Sequence, residues 1–389
     1  MNAALVRFIV LLCAGFLGAA ATGKLVPHAR WLTETFGVSL GMAGFAISAV
    51  MLPGAVLSAM LGFLTDRLGA RRVAVAGLVT GALASMALGT ASDFNLLIAL
   101  RLLEGIGYTL YVIGATVLVV EVATEQRRTL ALAVWSSFAP IGFALGQWLS
   151  ASHQGQDRLG TIGFEHGAML LAAALAVWFA LPTKTAAASG ARPPSLLDGL
   201  RHPPALLASL AFGCVTGVLL AAVAVTPLVL ASLHAMSVGD AARLTALASL
   251  PGIAGRFAAG WLLGWSLTPR SVLMSAGVSG VLTIALVLLA RVPLMPTLAL
   301  FTLFQILMGI IPGVLSAMIP HVAQARDQIG TVSGMVNQMV TLGNLIGPPL
   351  VLSIYAVADA WGAVAMLAAW TALCVACVAR LPVFQKAIS

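Results

Sequence analysis

Charged side chains are scarce in this sequence of 389 residues. Asp, Glu, Lys and Arg make up 8% of it and hydrophobic residues 60%, whereas soluble domains are about 25% charged. The mean hydropathy is +1.05. Runs of about ten alternating polar and apolar residues, which a membrane β-barrel needs, are also missing. These absences exclude an ordinary water-soluble domain and favour an all-α membrane protein.

Sequence motifs of catalysis are missing as well. There is no HExxH pattern, no nucleotide-binding P-loop and no G-x-S-x-G pattern with a matching His and acid. Cys374 and Cys377 have C-x-x-C spacing, but no His or carboxylate lies nearby. We interpret the cysteines as small buried residues. We therefore expect a protein that is not an enzyme and that binds no metal or cofactor.

The apolar residues fall into runs that are long enough to cross a bilayer. A spanning helix needs about 20 mostly apolar residues, and we predict twelve such helices. We interpret the first run as helix 1 and not as a signal peptide, because it continues into Lys24 and Pro27 without a persuasive cleavage site. The predicted spans are 7–30, 41–64, 72–92, 94–120, 129–151, 162–181, 204–233, 240–265, 270–291, 295–319, 328–356 and 361–380.

The sequence also divides into two similar halves. A shift of 198 residues places Leu52-Pro53-Gly54 on Leu250-Pro251-Gly252. We predict a first half over 1–182, a cytoplasmic linker over the polar stretch 183–203, and a second half over 204–389. Two halves that begin on the same side of the membrane are typical of alternating-access transporters with a site near the midplane.

The placement of the cations explains the formal net charge of +8. If the N-terminus is cytoplasmic and the helices alternate, most of the 20 Lys and Arg residues fall on the cytoplasmic side, which is the positive-inside pattern. We therefore expect both termini in the cytoplasm and a bacterial-type inner membrane location. The orientation of the chain in the lipid bilayer then accounts for its positive net charge, and we expect no nucleic-acid partner.

The loop after helix 2 carries the most specific motif. It reads Gly62-Phe-Leu-Thr-Asp66-Arg67-Leu-Gly69-Ala-Arg71-Arg72, and it resembles the signature loop of the major facilitator superfamily, G-x-L-x-D-R-x-G-R-R. The resemblance implies two pseudo-symmetric six-helix bundles and a conformational latch, in which an aspartate meets a helix N-terminus or a basic side chain. The latch residues are then Gly62, Asp66, Arg67, Gly69, Arg71 and Arg72. The alternative is a cytoplasmic loop that follows the positive-inside pattern, which explains the arginines but not the spacing of Gly62, Asp66 and Gly69.

Two further stretches extend the resemblance to the whole chain. Helix 4 reads Arg101-Leu-Leu-Glu104-Gly105-Ile-Gly107, similar to the family's R-x-x-(Q/E)-G-x-G element, and helix 10 carries Gln305 at the position equivalent to Arg101. In the second half Gly264 replaces the aspartate of the loop, so we expect a weakened latch there. The resemblance implies a monomeric transporter of a small-molecule substrate, but it does not specify the substrate.

Ionisable side chains inside spanning helices are the first candidates for a site, because each costs at least about 2.5–3.5 kcal/mol on insertion scales. Arg256 lies near the middle of helix 8, and that helix has no acidic residue beyond Asp240. A guanidinium can hold a carboxylate in bidentate fashion. We interpret Arg256 as a site for a substrate anion; the alternative is that it pairs with helix-end carbonyls or with a carboxylate of another helix. Lys24 is a second candidate anchor, with snorkelling to the outer interface as its alternative.

Arg101 and Glu104 lie one turn apart on helix 4 and can form an i,i+3 ion pair. Either the pair is structural, or Glu104 accepts the transported proton while Arg101 tunes it. All six histidines lie in loops or near predicted helix ends, so we do not expect a central histidine relay.

Helix 11 supplies polar side chains that face protein or a cavity, because exposing them to lipid would be costly. They contact either substrate or a neighbouring helix. They are Asn337, Gln338, Thr341 and Asn344.

The leading functional hypothesis is a secondary active transporter that takes up a small, carboxylate-bearing solute together with protons. The alternative is a proton-coupled exporter of amphipathic drugs or metabolites. Helix 5 has Ala139-Pro140 within a poor copy of the Gly-Pro-rich element of the superfamily's drug/proton antiporters, which disfavours the exporter.

Overall fold

The computed structural model describes residues 3–124, 131, 134–135, 137–153, 158–181, 203–264, 268–322 and 329–381. In these ranges the secondary structure is helical and no strand occurs. The predicted linker falls almost entirely on residues 182–202, which lie outside the described part of the chain. The division into halves at 183–203 therefore stays a prediction.

Helices in the described ranges begin and end as follows. The first eight are α1 (Ala3–Gly23), α2 (Ala29–Phe36), α3 (Leu40–Ser48), α4 (Leu52–Leu68), α5 (Ala70–Met86), α6 (Phe94–Val122), α7 (Phe138–Ser150) and α8 (Arg158–Ala180). The remaining six are α9 (Pro203–His234), α10 (Val238–Ser249), α11 (Gly252–Gly264), α12 (Pro269–Leu289), α13 (Leu294–Val322) and α14 (Ile329–Ala379).

Nine segments of the described residues are long and apolar enough to cross a membrane. The last of them contains a kink at Ala358 and Asp359, where the backbone leaves the helical region inside α14. Predicted helices 11 and 12 meet at this kink. The total of twelve spans and the cytoplasmic placement of both termini stay predictions.

Prolines interrupt several of the predicted spans. Pro27 stands in a 3-10 turn, Val26–His28, that separates α1 from α2, so Lys24 lies just beyond the end of α1. Both copies of the Leu-Pro-Gly triplet also lie at a break. Leu52-Pro53 begins α4 after a 3-10 turn, and Leu250-Pro251 separates α10 from α11. The fixed φ of proline and its missing N–H explain why the helices restart there.

The described residues form two compact units, drawn from 1–38 with 49–193 and from 39–48 with 194–389. The second unit includes α3, which packs on α14. Ser48 Oγ donates to the carbonyl of Leu345 at 2.7 Å. A Cβ placed on Gly44 would lie 2.8 Å from Cα of Pro349, so only glycine permits this approach of the two backbones.

In the first unit, α1, α5, α6 and α8 share a buried apolar core. Its members on these helices include Leu11, Leu78, Tyr111 and Leu170. The hydroxyl of Tyr111 donates to the carbonyl of Leu11 at 2.5 Å and thereby fixes α6 against α1. The polar residues described below lie between these same four helices.

Candidate functional site

Lys24 is the most unusual residue of the first unit, because its charged side chain is only 2% exposed. The ammonium Nζ donates to Oε1 of Glu104 and to Oγ of Ser85 at 2.7 Å. The position of Lys24 beyond the end of α1 lets its side chain turn into the unit. The alternative that Lys24 snorkels to the outer interface is therefore wrong.

Glu104 accepts from a second cation on its own helix. Nη1 of Arg101 donates to Oε2 of Glu104 at 2.5 Å, which confirms the predicted i,i+3 contact. The Nη2 group of Arg101 donates to the carbonyl of Ala21 at 2.9 Å. Arg101 and Glu104 are 0% and 1% exposed. The two carboxylate oxygens of Glu104 thus each contact a different cation.

His166 of α8 completes this group, and the expectation that every histidine lies in a loop or near a helix end is wrong for this residue. Its Nδ1 lies 3.2 Å from Lys24 Nζ, 3.0 Å from Ser85 Oγ and 3.9 Å from Glu104 Oε1. Its Nε2 lies 2.8 Å from the carbonyl of Leu17. A carbonyl only accepts, so Nε2 carries the proton of a neutral ring and Nδ1 accepts.

Two glycines explain how His166 reaches this position. Gly163 and Gly167 flank it on α8, and a Cβ on them would lie 2.2 Å from the carbonyl of Ser85 and 2.7 Å from that of Ala82. Any side chain there would push α8 away from α5. A mid-helix histidine between small residues is the sequence signal that could have identified His166. It was missed because the predicted helix begins at 162, whereas α8 begins at Arg158.

We call Lys24, Ser85, Arg101, Glu104 and His166 the polar cluster. It combines two cationic side chains, one carboxylate, one imidazole and one hydroxyl within direct contact distances. Such groups can hold a proton, pass it on, or exchange one carboxylate partner for another. Glu104 and Arg101 were predicted as a proton-coupling pair, and Lys24 as a substrate anchor. The structure brings these three together.

A small cavity adjoins the polar cluster at Glu104. It is about the size of one water molecule. Tyr108, Gly81 and Leu170 are among the residues that line it. A water molecule there could deliver a proton to the carboxylate, but the cavity is too small for an organic solute.

Arg256, the other predicted anchor, belongs to α11 in the second unit. Its side chain is half-buried, and Gly313 of α13 packs against its backbone. Within the described ranges, no hydrogen bond or ion pair engages its guanidinium. Its prediction as an anion site stays a prediction, and the described residues offer no carboxylate for the alternative.

The polar residues predicted on helix 11 lie in the first arm of α14, also in the second unit. Asn337 is exposed, and Gln338, Thr341 and Asn344 are half-buried. Thr341 Oγ1 donates to the carbonyl of Asn337 at 2.8 Å within the helix. No hydrogen bond joins these four side chains to Arg256 in the described part of the chain, so their role in binding stays a prediction.

The predicted latch lies at the junction of α4 and α5. Gly69 joins the two helices with φ of 89° and ψ of 136°, which explains the glycine of the motif. Arg71 donates to the carbonyls of Leu181 at 2.8 Å and Trp178 at 3.2 Å, so it binds the end of α8. Arg67 and Arg72 are exposed. The backbones of Gly62 and Asp66 belong to α4, but the Asp66 side chain lies outside the described part.

Comparison with protein families gives one match that spans most of the chain. The family model described as Major Facilitator Superfamily matches residues 10–348. Among solved structures, a bacterial homologue of the human lysosomal transporter Spinster, inward-facing and unoccupied, superposes with a TM-score of 0.78 at 16% identity and covers 100% of this chain and 97% of that one. At that identity the likeness concerns the fold alone.

Comparison with curated proteins gives partial matches. A 4-hydroxybenzoate transporter of Pseudomonas aeruginosa is 31% identical over 148 residues, 38% of this chain and 32% of the relative. A gallate transporter of Pseudomonas putida is 29% identical over 178 residues, 45% and 38% of the two chains. A methylenomycin A resistance protein of Streptomyces coelicolor is 31% identical over 140 residues, 36% and 30%. The matched regions thus span about a third of these relatives.

Proposed function

Because this chain belongs to the Major Facilitator Superfamily and is a multi-pass membrane transporter, we propose that it takes up a small organic anion together with protons. The substrate carries a carboxylate, and transport proceeds by alternating access in a bacterial inner membrane. The functional unit is a monomer. Arg256 binds the carboxylate, and the polar cluster holds the coupling proton.

The proposal rests on the surroundings of the Arg256 guanidinium. A guanidinium within a membrane-spanning region needs a counter-charge or a water-filled cavity, and the described residues supply no carboxylate to it. Its planar fork matches a carboxylate with two parallel hydrogen bonds. A substrate anion would therefore supply the counter-charge that the described residues do not provide.

Two of the curated relatives support a carboxylate as the substrate. They are named as transporters of 4-hydroxybenzoate and of gallate, and both compounds are aromatic carboxylates. Another relative is named an arabinose-proton symporter, which supports coupling to protons. These names describe the relatives, and they provide the first compounds to test on this chain.

Uptake by proteoliposomes tests the proposal. We expect purified protein to accumulate labelled 4-hydroxybenzoate when the lumen is more alkaline than the medium, and only to equilibrate it when the pH gradient is collapsed. The neutral analogue 4-hydroxybenzamide should not accumulate. Equal accumulation of the acid and the amide would contradict a carboxylate substrate. Accumulation without a pH gradient would contradict proton coupling.

Export of drugs or metabolites is the second candidate, because relatives named for methylenomycin A and chloramphenicol resistance match comparable shares of the chain. The two functions differ in the direction of the substrate relative to the proton: symport moves both inward, whereas antiport moves the substrate outward as protons enter. An exporter would accumulate chloramphenicol in inverted vesicles whose lumen is acidic, and cells expressing it would survive higher doses. Neither effect is expected if the chain is an importer of carboxylates.

A further inference from the structure

His166 is the member of the polar cluster that neither the sequence motifs nor the family comparison assigns. Its Nε2–H is fixed by the carbonyl of Leu17 at 2.8 Å, so any proton that the ring gains must go to Nδ1. That atom faces Lys24 at 3.2 Å and Glu104 at 3.9 Å. Nε2 thus donates to the backbone, whereas Nδ1 faces the charged groups.

Lys24 prevents His166 from taking a proton in the described arrangement. A proton on Nδ1 would place two positive charges 3.2 Å apart, and their repulsion is strong in a buried site. Once Lys24 has moved away, the same proton would face the Glu104 carboxylate, which would favour it. The charged groups around the ring are Lys24, Arg101 and Glu104, and α5 contributes the hydroxyl of Ser85.

The contacts of the Lys24 ammonium decide whether this repulsion persists. The backbone N–H of Lys24 donates to the carbonyl of Ala20 at 3.1 Å, whereas the ammonium is held by Glu104 and Ser85 at the end of a flexible four-carbon side chain. Loss of these two side-chain contacts would take the positive charge away from Nδ1 of His166.

We propose that His166 carries the coupling proton, and that the Lys24 ammonium blocks this site as long as it contacts Glu104. The inference rests on the proton coupling of the proposed function and deepens it. Uptake forms an N–H bond at Nδ1 and breaks an O–H bond of a hydrated proton. Release to the other side reverses this step, and Lys24 stays an ammonium throughout.

The first test needs no substrate. Histidines of the purified protein are labelled with ¹⁵N, and the resonances of His166 are assigned by their loss in His166→Asn. Between about pH 8 and pH 5, where an unperturbed histidine titrates, we expect His166 to stay neutral in the wild type and to become doubly protonated in Lys24→Gln. A ring that stays neutral in Lys24→Gln over this range would overturn the proposal.

The second test uses transport of 4-hydroxybenzoate by proteoliposomes. We expect His166→Asn and His166→Gln to lose accumulation driven by a pH gradient but to keep exchange of labelled for unlabelled compound. Asn can still accept a hydrogen bond from Lys24 and Gln can still donate to Leu17, so a structural role would be rescued by one of them. His153→Asn, at the exposed contact with Glu165, is the matched control and should accumulate the compound normally.

The outcomes separate the two proposals. Normal accumulation in both His166 variants would overturn the role of His166 and leave the proposed function standing. If the wild type does not transport 4-hydroxybenzoate, the substrate proposal fails, and the ¹⁵N titration still decides whether Lys24 blocks a proton site on His166.

Discussion

Removing one member of the Lys24–Glu104–Arg101 contacts should destabilise the protein strongly, and in a defined order. Loss of one partner of a buried ion pair typically costs about 3–5 kcal/mol, because the remaining charge is left uncompensated. Glu104→Gln removes the carboxylate that both Lys24 and Arg101 contact, so we expect the free energy of unfolding to fall by an amount near the upper end of that range. Lys24→Met leaves Glu104 in contact with Arg101 at 2.5 Å, so its cost should lie near the lower end.

The free energy of unfolding in mixed detergent micelles measures both effects. The double variant Lys24→Met/Glu104→Gln should lose less than the sum of the single variants, by about 0.5–3 kcal/mol, since the two residues contact each other directly. Arg243→Gln is the matched control: its contact with Asp240 spans 3.7 Å and Arg243 is 37% exposed, so removal should cost at most about 0.5 kcal/mol. The buried contacts would be refuted if each single variant lost as little stability as this control and the two losses simply added in the double variant.

Three further predictions concern other parts of the chain. Gly163→Leu should separate α8 from α5, because its Cβ would lie 2.2 Å from the carbonyl of Ser85; a melting temperature equal to that of the wild type would contradict this packing. Asp66→Asn should change the rate of interconversion between inward-open and outward-open states without unfolding the protein, and unchanged cysteine accessibility on both faces would count against the latch. The N–H groups of Leu96 and Asn95 hold the pKa of Asp93, the N-cap of α6, below its usual range. The ionised Asp93 carboxylate therefore stabilises the fold fully above its unfolded-state pKa, and this stabilisation is lost as the pH falls through its folded-state pKa. In Asp93→Asn this loss should be absent, so a plot of stability against pH should be flatter on the acid side.

Much of the fold could be predicted from the sequence because its signals are local. Apolar run length, the loop from Gly62 to Arg72 and the repeated Leu-Pro-Gly triplet each depend on neighbouring residues alone. The family match over residues 10–348 confirms the assignment that these motifs suggested. The breaks beside Pro27, Pro53 and Pro251 follow from proline chemistry, although each predicted span is one continuous helix.

The polar cluster was only partly predictable, because its contacts join residues far apart in the chain. The Arg101–Glu104 pair follows from helical spacing. The contact of Lys24 with Glu104 bridges 80 positions, and that of Lys24 with His166 bridges 142. No periodicity within one helix reveals such neighbours. The packing of α8 on α5 through Gly163 and Gly167 decides where the imidazole lies, and this packing is a property of the folded unit.

The most direct test of carboxylate recognition is the affinity of purified protein for 4-hydroxybenzoate and for 4-hydroxybenzamide, measured by titration calorimetry. We predict that the wild type prefers the acid, and that Arg256→Lys weakens binding of the acid by about 1–3 kcal/mol, the range for a hydrogen bond to a charged group. Arg256→Ala should lose the preference for the acid while its melting temperature is retained. Wild-type affinity for the acid in Arg256→Ala would contradict the account and remove Arg256 from the site.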